Sequence, residues 1–485
     1  MITYGARLLS MVLVLNSGFA SGACLAFELS PADLSRPENL LLLCILMPCP
    51  AATAALNDTD INGDGLGDFV IGAPLHGGAS QGRAYLFYGR STPFPGGAAT
   101  TADVVLSGLG TTDSVSEVTL GDFNGDTYAD LALGAPGRDT PFANSGTVYI
   151  FYGGPGGINS NNLALADVTL TGSAAAGLGM SLSAADINND GFHDLVVGAS
   201  GFSGGSGATY IFHGSASGIA SGDTTSSTTT ITSENAGDAL GRFIHAADLD
   251  GDGYGDILIS ASDYPGGGQT GRIYFFTGGP GGIPSGAAGT AAVSYTGSIG
   301  GDEFGLAPTG GDITGDGLPD ILMLDNTGKG YAYSGSASGF VSRLDTQADI
   351  TFNLPGANSL TVSDLDLDGT ADVLIGAPTF AASTGRLYYF QGRAAWPASI
   401  TAAGAFGAYD GLAGGDRFGH GMRIRNINGV GAPELIVTAN GRNTSAGAAY
   451  LYYDFGPGAT NGNAASATSA FAGEGAVNSF GNDLH

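Results

Sequence analysis

Six nine-residue segments of this chain place side-chain oxygens at alternating positions, a spacing that suits a hard metal ion. The clearest segment runs from Asp248 to Asp256 and reads DLDGDGYGD. Carboxylates or amides at positions 1, 3, 5 and 9 can converge on one point, and position 7 can add its backbone carbonyl. We name the segments loops 1 to 6 in chain order. They open at Asp60, Asp122, Asp186, Asp248, Asp312 and Asp364.

The candidate ligands of these loops are all oxygen donors, which favours Ca²⁺ over Mg²⁺ because Mg²⁺ demands near-ideal octahedral geometry. Zn²⁺ is disfavoured, since no Cys lies in the loops and no His occupies a ligand position. We therefore predict about six Ca²⁺ ions as cofactors. The predicted ligands are Asp60, Asn62, Asp64, Leu66 and Asp68; Asp122, Asn124, Asp126, Tyr128 and Asp130; Asp186, Asn188, Asp190, Phe192 and Asp194; Asp248, Asp250, Asp252, Tyr254 and Asp256; Asp312, Thr314, Asp316, Leu318 and Asp320; and Asp364, Asp366, Asp368, Thr370 and Asp372.

Two other structures could account for these loops. An EF-hand requires Glu at position 12, where this chain has apolar residues such as Ile259. A polar turn that binds nothing explains any single copy, but six copies at matched phase favour ion binding. A seventh segment, loop 7, runs from Asn426 to Glu434 and keeps one formal charge. We predict no tightly bound ion there.

Net charge argues for cations and against nucleic acid. The chain has 44 Asp and Glu against 15 Lys and Arg, a net charge of -29. The six loops hold 20 of the aspartates (3 + 3 + 3 + 4 + 3 + 4). Without ions these carboxylates repel one another at close range. Nucleic-acid binding needs a basic patch, which this composition does not supply.

The loops recur in a repeat whose remaining segments are short strands. The steps between the seven loop openings are 62, 64, 62, 64, 52 and 62 residues. One Gly-x-x-Tyr strand accompanies each loop, as at Gly82–Tyr85, and Phe-Gly pairs such as Phe418-Gly419 precede several loops. Four strands per repeat predict an all-β, seven-bladed β-propeller of four-stranded blades. The last residues carry a Phe-Gly strand without a loop, so we expect the C-terminal strand to close the ring.

The first 55 residues read as a leader. Residues 1–23 have the layout of a signal peptide. Residues 24–55 add a second apolar run that ends in an alternative cleavage site near 54–55. Cys24, Cys44 and Cys49 are the only cysteines, and a lipid-modified Cys24 is an open alternative. We expect residues 56–485 to be exported, to a secreted or cell-surface location, with no transmembrane segment and with ions in place of disulfides as the stabilising device.

The order Phe-Gly, acidic loop, Gly-Ala-Pro resembles the FG-GAP repeat of the integrin α-subunit N-terminal head. Gly72-Ala73-Pro74, Gly134-Ala135-Pro136 and Gly376-Ala377-Pro378 carry the resemblance. It implies a seven-bladed propeller over 56–485 with Ca²⁺ in loops between the first two strands of a blade. Integrins usually carry such loops only in later blades, whereas six repeats have one here. No leg domains, membrane helix or inserted adhesion domain are visible, so we expect no signalling integrin subunit.

The resemblance implies an adhesion or recognition module for an extracellular protein or a surface glycan, acting as a monomer. Partners would meet the face opposite the loops, and the candidate contacts there are Arg138, Asp139, Phe142, Phe202, Tyr264, Phe380 and Arg442. A structural matrix or surface-layer component is the main alternative. A hydrolase or lyase is disfavoured, because no nucleophile elbow, zinc-protease motif or phosphate loop occurs and the six histidines share no motif.

Overall fold

The computed structural model describes residues 59–115, 117–453, 455, 461–474 and 479–484. The predicted signal peptide and second leader lie outside these ranges. Within them the chain forms seven β-sheets. We call them blades 1 to 7, after the acidic loop that each contains. The predicted seven-bladed β-propeller is confirmed.

Almost all regular structure is strand. In chain order the strands are β1 (Phe69–Ala73), β2 (Arg83–Phe87), β3 (Gly97–Ala98), β4 (Val104–Ser107), β5 (Val118–Gly121), β6 (Asp130–Ala135), β7 (Thr147–Phe151), β8 (Val168–Thr171), β9 (Ser181–Ala185), β10 (Asp194–Ala199), β11 (Ala208–Phe212), β12 (Gly222–Asp223), β13 (Thr229–Thr232), β14 (Leu240–Ala247), β15 (Asp256–Ala261), β16 (Arg272–Phe276), β17 (Gly286–Ala287), β18 (Val293–Thr296), β19 (Leu306–Gly311), β20 (Asp320–Leu324), β21 (Lys329–Tyr333), β22 (Arg343–Leu344), β23 (Ile350–Asn353), β24 (Ser359–Ser363), β25 (Asp372–Ala377), β26 (Arg386–Phe390), β27 (Ser399–Thr401), β28 (Gly407–Asp410), β29 (Phe418–Arg425), β30 (Glu434–Ala439), β31 (Ala448–Tyr452), β32 (Asn461–Asn463), β33 (Ser469–Ala472) and β34 (Asp483–Leu484). The helical segments are single turns at Phe202–Gly205, Phe380–Ser383, Arg442–Ser445, His76–Ser80, Ala99–Thr101, Leu163–Leu165, Thr224–Ser226, Ala288–Thr290, Asp345–Gln347, Ala402–Gly404 and Ala464–Ser466.

Each blade is an antiparallel meander of four strands, as predicted, and most blades also have a fifth. In blade 2 the order is β5-β6-β7-β8, with β12 parallel to β8 at the outer edge. The next blade along the ring donates this fifth strand, which covers an edge that would otherwise expose unpaired backbone groups. The added strands have only two or three residues, which is too short to leave a pattern in the sequence.

The ring closes at two places. The C-terminal strand β34 pairs with β1 as the inner strand of blade 1, with Leu484 opposite Ile71. At the outer edge, β3 of blade 1 pairs in parallel with β33 of blade 7. Glu474 reinforces the junction, because its Oε1 accepts hydrogen bonds from the Arg83 guanidinium at 2.8 Å and the Tyr85 hydroxyl at 2.7 Å. The predicted closure by the C-terminal strand is confirmed.

The core lies between blades, and this packing explains the coupling of the Gly-x-x-Tyr and Phe-Gly signatures. All six residues of β10 are buried, because both faces of a propeller strand meet a neighbouring blade. Gly207, before the Tyr strand of blade 3, has φ +86°, and a Cβ there would lie 2.3 Å from the Leu240 backbone of blade 4. Only glycine meets both conditions.

Among the described residues, no helix is long and apolar enough to span a membrane.

Candidate functional site

Loops 2 to 7 connect the inner strand of a blade to its second strand, and loop 1 leads directly into β1, the second strand of blade 1. In blade 4, loop 4 joins β14 to β15, and Ala247 pairs with Asp256 at its base. Equivalent base pairs, such as Gly121 with Asp130, close loops 2 to 7. Each of loops 2 to 7 is therefore a hairpin connection held at one end of a rigid ladder.

The position 1 aspartate shapes its own loop. In loop 1, Asp60 accepts hydrogen bonds from the backbone N–H groups of Gly63 at 2.7 Å, Asp64 at 3.2 Å and Gly65 at 2.7 Å. Asp122 accepts the same three bonds in loop 2. A short side chain that accepts from the following N–H groups stabilises a tight polar turn. The turn brings positions 3 and 5 round toward position 1.

The position 9 aspartate is the deepest group of each loop, and it ties two hairpins together. Asp130 is fully buried. Its carboxylate accepts from the N–H of Phe123, at position 2 of its loop, and from the N–H of Gly153, each at 2.8 Å. The glycines in this second role are Gly89, Gly153, Gly214, Gly278, Gly335 and Gly392.

These glycines are residues that the sequence reasoning missed. Each stands two residues after the aromatic end of its third strand, as in Phe151-Tyr152-Gly153. The aromatic-x-Gly recurrence was the signal that would have found them.

Burial makes the position 9 carboxylates reluctant to ionise. Desolvation raises the pKa of Asp68 and Asp130 to about 8. It raises the pKa to about 7 for Asp194 and Asp256, and to about 6 for Asp320 and Asp372. The backbone hydrogen bonds oppose this shift, and other carboxylates of the same loop add to it. The folded loops thus concentrate negative charge that a cation would neutralise.

Loops 4 and 6 bring the most carboxylates together among the described residues. One oxygen each from Asp248, Asp250 and Asp252 lies within 4.8 Å of the others, and the same holds for Asp364, Asp366 and Asp372. In loop 6, Asp366 Oδ2 accepts from the Gln391 amide at 2.8 Å. Asp366 Oδ1 is buried and has no hydrogen-bond partner among the described residues. An orphaned buried oxygen beside two carboxylates fits a cation site.

The other loops partly satisfy their own carboxylates. In loops 1, 2 and 3 the amide of Asn62, Asn124 or Asn188 donates to the position 5 aspartate at 3.1, 3.0 or 2.9 Å. In loop 5 the Thr314 hydroxyl donates to Asp312 at 3.3 Å. These loops keep an all-oxygen donor set of lower charge, which also fits Ca²⁺.

Loop 7 has the same backbone form without the charge. Buried Glu434 replaces the position 9 aspartate and accepts from the Ile427 N–H at 2.8 Å and the Asn428 amide at 2.5 Å. Val430 stands at position 5, where loops 1 to 6 have Asp. Loop 7 contains no carboxylate besides Glu434.

The opposite end of the blades carries the residues predicted to meet a partner, and most of them are engaged within the protein. Arg138 pairs with Asp113 at 3.3 Å, and Arg442 pairs with Asp416 at 2.7 Å. Both aspartates are buried. These arginines therefore fasten the corners of neighbouring blades.

The aromatic residues of that face are also mostly packed. The Arg272 guanidinium lies 3.8 Å from the Tyr264 ring centroid, and Arg386 lies 4.0 Å from that of Phe380. Phe202 packs edge-on against Tyr210. Asp139 is exposed and accepts from the Asn144 N–H at 2.8 Å. Phe142 has 55% of its surface exposed and is the best placed of the seven to contact a partner.

His193 lies in loop 3, and His245 lies three residues before loop 4. His193 Nδ1 accepts from the Asp122 N–H at 3.0 Å. Burial, together with the nearby positive charge of Arg423, lowers the pKa of His245 to about 4. The residue as a whole is only partly buried, but its Nε2 atom is enclosed and has no hydrogen-bond partner among the described residues.

Comparison with known proteins agrees with this geometry. A family profile described as FG-GAP repeat matches residues 52–87, 114–151, 178–212, 240–276 and 356–390. The phosphatidylinositol-glycan-specific phospholipase D of Rattus norvegicus is 38% identical over 157 residues, 30% of this chain and 18% of the phospholipase. Integrin alpha-5 of Xenopus laevis is 34% identical over 163 residues, 30% of this chain and 14% of the integrin. The alignments thus span less than a fifth of either relative.

Among solved structures, BBS1N in complex with ARL6DN aligns with a TM-score of 0.44 and 10% identity, over 78% of this chain and 85% of that one. That similarity bears on no functional argument. The five repeat matches fall on blades 1 to 4 and 6, and each covers the acidic loop and the two strands after it. The chain is a seven-bladed β-propeller that carries FG-GAP repeats in five of its blades.

Proposed function

We propose that this protein is an exported, Ca²⁺-stabilised recognition module, and that loops 1 to 6 are its ion sites. The observation that carries the proposal is the set of six acidic loops at one end of the propeller, each with a buried position 9 carboxylate and further oxygen donors beside it. The ligands are those predicted at positions 1, 3, 5, 7 and 9. A bound Ca²⁺ supplies positive charge that offsets carboxylate repulsion.

Loops 4 and 6 should bind most tightly. Each has four aspartates, and each already holds three carboxylate oxygens within 4.8 Å of one another. Ligand charge is a main determinant of Ca²⁺ affinity. Loops 1, 2, 3 and 5 have three aspartates each and should bind more weakly.

We place the recognition surface on blades 1 and 2, at the end opposite the loops. Leu75, Leu109 and Phe142 are 39, 42 and 55% exposed on consecutive turns of that end. Hydrogen bonds hold the turns together, from Gln81 to Gly108 O at 2.5 Å and from Thr112 to Asp139 at 3.3 Å. Neighbouring exposed apolar side chains on a polar surface are typical of a protein or glycan contact.

Recognition without catalysis is the reading that the residues support best. Twenty aspartates lie in the six acidic loops, and the sequence has no catalytic motif. The phospholipase D relatives are named for an enzymatic activity, but the aligned region is 18% of the rat protein. A structural matrix or surface-layer component is the second candidate, since the integrin-like repeats and the ion sites serve either role.

The test of recognition is a binding assay on immobilised purified collagen and a panel of purified polysaccharides, in Ca²⁺ and in chelator. The double variant Leu109→Ser, Phe142→Ser should lose binding to whichever probe retains the wild type. The matched control is Leu165→Ser, which should bind normally. Leu165 is 66% exposed on the outer side of blade 2. Loss of binding in the control as well, or no probe retained by the wild type, would favour the structural role.

A further inference from the structure

Backbone hydrogen bonds join the acidic loops to one another around the propeller. The N–H at position 8 of one loop donates to the position 1 carbonyl of the loop in the preceding blade. The bonds are Gly67 to Asn426 at 2.9 Å, Ala129 to Asp60 at 2.9 Å, His193 to Asp122 at 2.8 Å, Gly255 to Asp186 at 2.7 Å and Ala371 to Asp312 at 2.8 Å.

A second bond runs beside the first at the same junctions. The residue after the aromatic-x-Gly glycine donates its N–H to the position 2 carbonyl of the preceding loop. These bonds are Arg90 to Ile427 at 2.8 Å, Gly154 to Ile61 at 2.9 Å, Ser215 to Phe123 at 3.1 Å, Gly279 to Ile187 at 3.1 Å and Arg393 to Ile313 at 3.0 Å.

Proline interrupts the series at two junctions. Position 8 is Pro319 in loop 5 and Pro433 in loop 7. Because proline has no N–H, neither residue can bond to the preceding loop. At the junction of blades 4 and 5 the second bond, to the Leu249 carbonyl, is also missing among the described residues. The linked ion-site loops are therefore 1 to 4 on one side and 5 and 6 on the other.

We propose that the ion sites form two thermodynamic groups, loops 1 to 4 and loops 5 and 6, with occupancy coupled inside each group and independent between them. The proposal rests on the proposed Ca²⁺ binding. Position 8 lies between two predicted ligands, the position 7 carbonyl and the position 9 carboxylate. Ordering one loop therefore fixes the N–H that holds the position 1 residue of its neighbour.

The coupling acts in both directions, since linkage between two binding sites is reciprocal. One net hydrogen bond is worth about 1 kcal/mol, which corresponds to a roughly fivefold change in dissociation constant. Removing the ion from one loop should weaken its linked neighbour by about this factor.

The chain contains its own reporter for the second group. Trp396 is the single tryptophan. Its indole Nε1 donates to the Ile313 carbonyl, at position 2 of loop 5, at 2.8 Å. The Arg393 guanidinium lies 4.3 Å from its ring centroid. Trp396 fluorescence should therefore follow ion binding in loop 5.

The test compares the two loops that flank loop 5. Asp252→Asn removes a position 5 ligand from loop 4, across the Pro319 interruption, and Asp368→Asn removes the matching ligand from loop 6. Both side chains are exposed and accept an N–H from position 7, a bond that asparagine preserves. In Ca²⁺ titrations of the metal-free protein, Asp368→Asn should shift the Trp396 midpoint about fivefold upward and Asp252→Asn should leave it unchanged.

Restoring the missing donor provides the converse test. Pro319→Ala supplies an N–H at position 8, and in that background Asp252→Asn should also move the Trp396 midpoint. Equal midpoints for Asp252→Asn and Asp368→Asn would overturn the grouping, as would a Trp396 signal that does not respond while ions bind. Calorimetry of the same samples counts the ions, so a wild-type protein that binds none would instead refute the proposed function.

Discussion

Replacing Asp256 of loop 4 by asparagine should change stability in opposite directions with and without Ca²⁺. Asp256 is fully buried and accepts from the N–H groups of Leu249, Asp250 and Gly278 at 2.9, 3.2 and 2.9 Å. Burial, with a smaller contribution from the carboxylates of Asp250 and Asp252, raises its pKa to about 7. Without an ion, the fold therefore bears the cost of an unfavourable charge. With an ion, that charge is a ligand.

The size of the effect follows from the shift. The folded pKa lies above the unfolded value, so the metal-free folded state binds more protons and loses stability as pH rises from about 4 to about 7. At pH 8 the roughly three-unit shift costs about 4 kcal/mol. Asparagine removes this cost but offers one acceptor oxygen to three N–H donors, a loss of about 1–3 kcal/mol. The metal-free variant should be more stable by about 1–3 kcal/mol.

In Ca²⁺ the sign reverses, because the variant loses a carboxylate ligand. A site held at 100 times its dissociation constant contributes about 2.7 kcal/mol, and most of this should disappear. The assay is urea unfolding at pH 8, on metal-stripped protein and in millimolar Ca²⁺. Glu434→Gln, at the same position of loop 7, is the control and should change stability equally in both conditions. Equal destabilisation of Asp256→Asn in both conditions would refute the reasoning.

Four further changes test other parts of the account. Deleting residues 479–485 removes the inner strand of blade 1 and exposes the edge of β1, so light scattering should show aggregation; a monodisperse product would contradict ring closure. Arg138→Ala should lower the free energy of unfolding by about 1–2 kcal/mol, because Asp113 stays buried with only its two backbone donors. Phe142→Ala should change the free energy of unfolding by no more than about 0.5 kcal/mol. A larger loss for Phe142→Ala than for Arg138→Ala would contradict the roles assigned to the two residues. The pKa of His245 is lowered to about 4, so the stability that neutral His245 contributes is complete above pH 6.5 and is lost as pH falls. His245→Phe should therefore reduce the difference in unfolding free energy between pH 7 and pH 5 by about 2 kcal/mol in urea unfolding. An unchanged difference would assign the acid sensitivity to other groups.

The architecture was readable from the sequence because its signals repeat. The loops mark the hairpin between the first two strands, and the Gly-x-x-Tyr segments mark the third. Gly207 must be glycine because the Leu240 backbone of the next blade lies against it. This contact couples the Gly-x-x-Tyr signature to the residue that precedes Gly241. The closing strand β34 was predictable because a Phe-Gly strand without a loop needs a partner. Such features are periodic and local, and a single sequence reveals them.

What the sequence did not reveal depends on contacts between repeats. The fifth strands have two or three residues and acquire strand form only from the neighbouring blade. The second acceptor role of Asp130 needs Gly153, 23 residues away. Arg138 was expected to face a partner, but it is held by Asp113 from the preceding corner. Residue type and spacing do not distinguish a free arginine from one whose carboxylate partner arrives through the fold.

The central claim is that the acidic loops stabilise the propeller by binding Ca²⁺, and thermal melting with a metal count tests it most directly. Residues 56–485 would be melted in millimolar Ca²⁺ and in excess chelator, with bound metal measured on the same sample. The account predicts about six ions and a large fall in melting temperature in chelator, because a ligand that binds only the native state stabilises it by mass action. No bound metal and an unchanged melting temperature would contradict it and would leave the loops as polar turns.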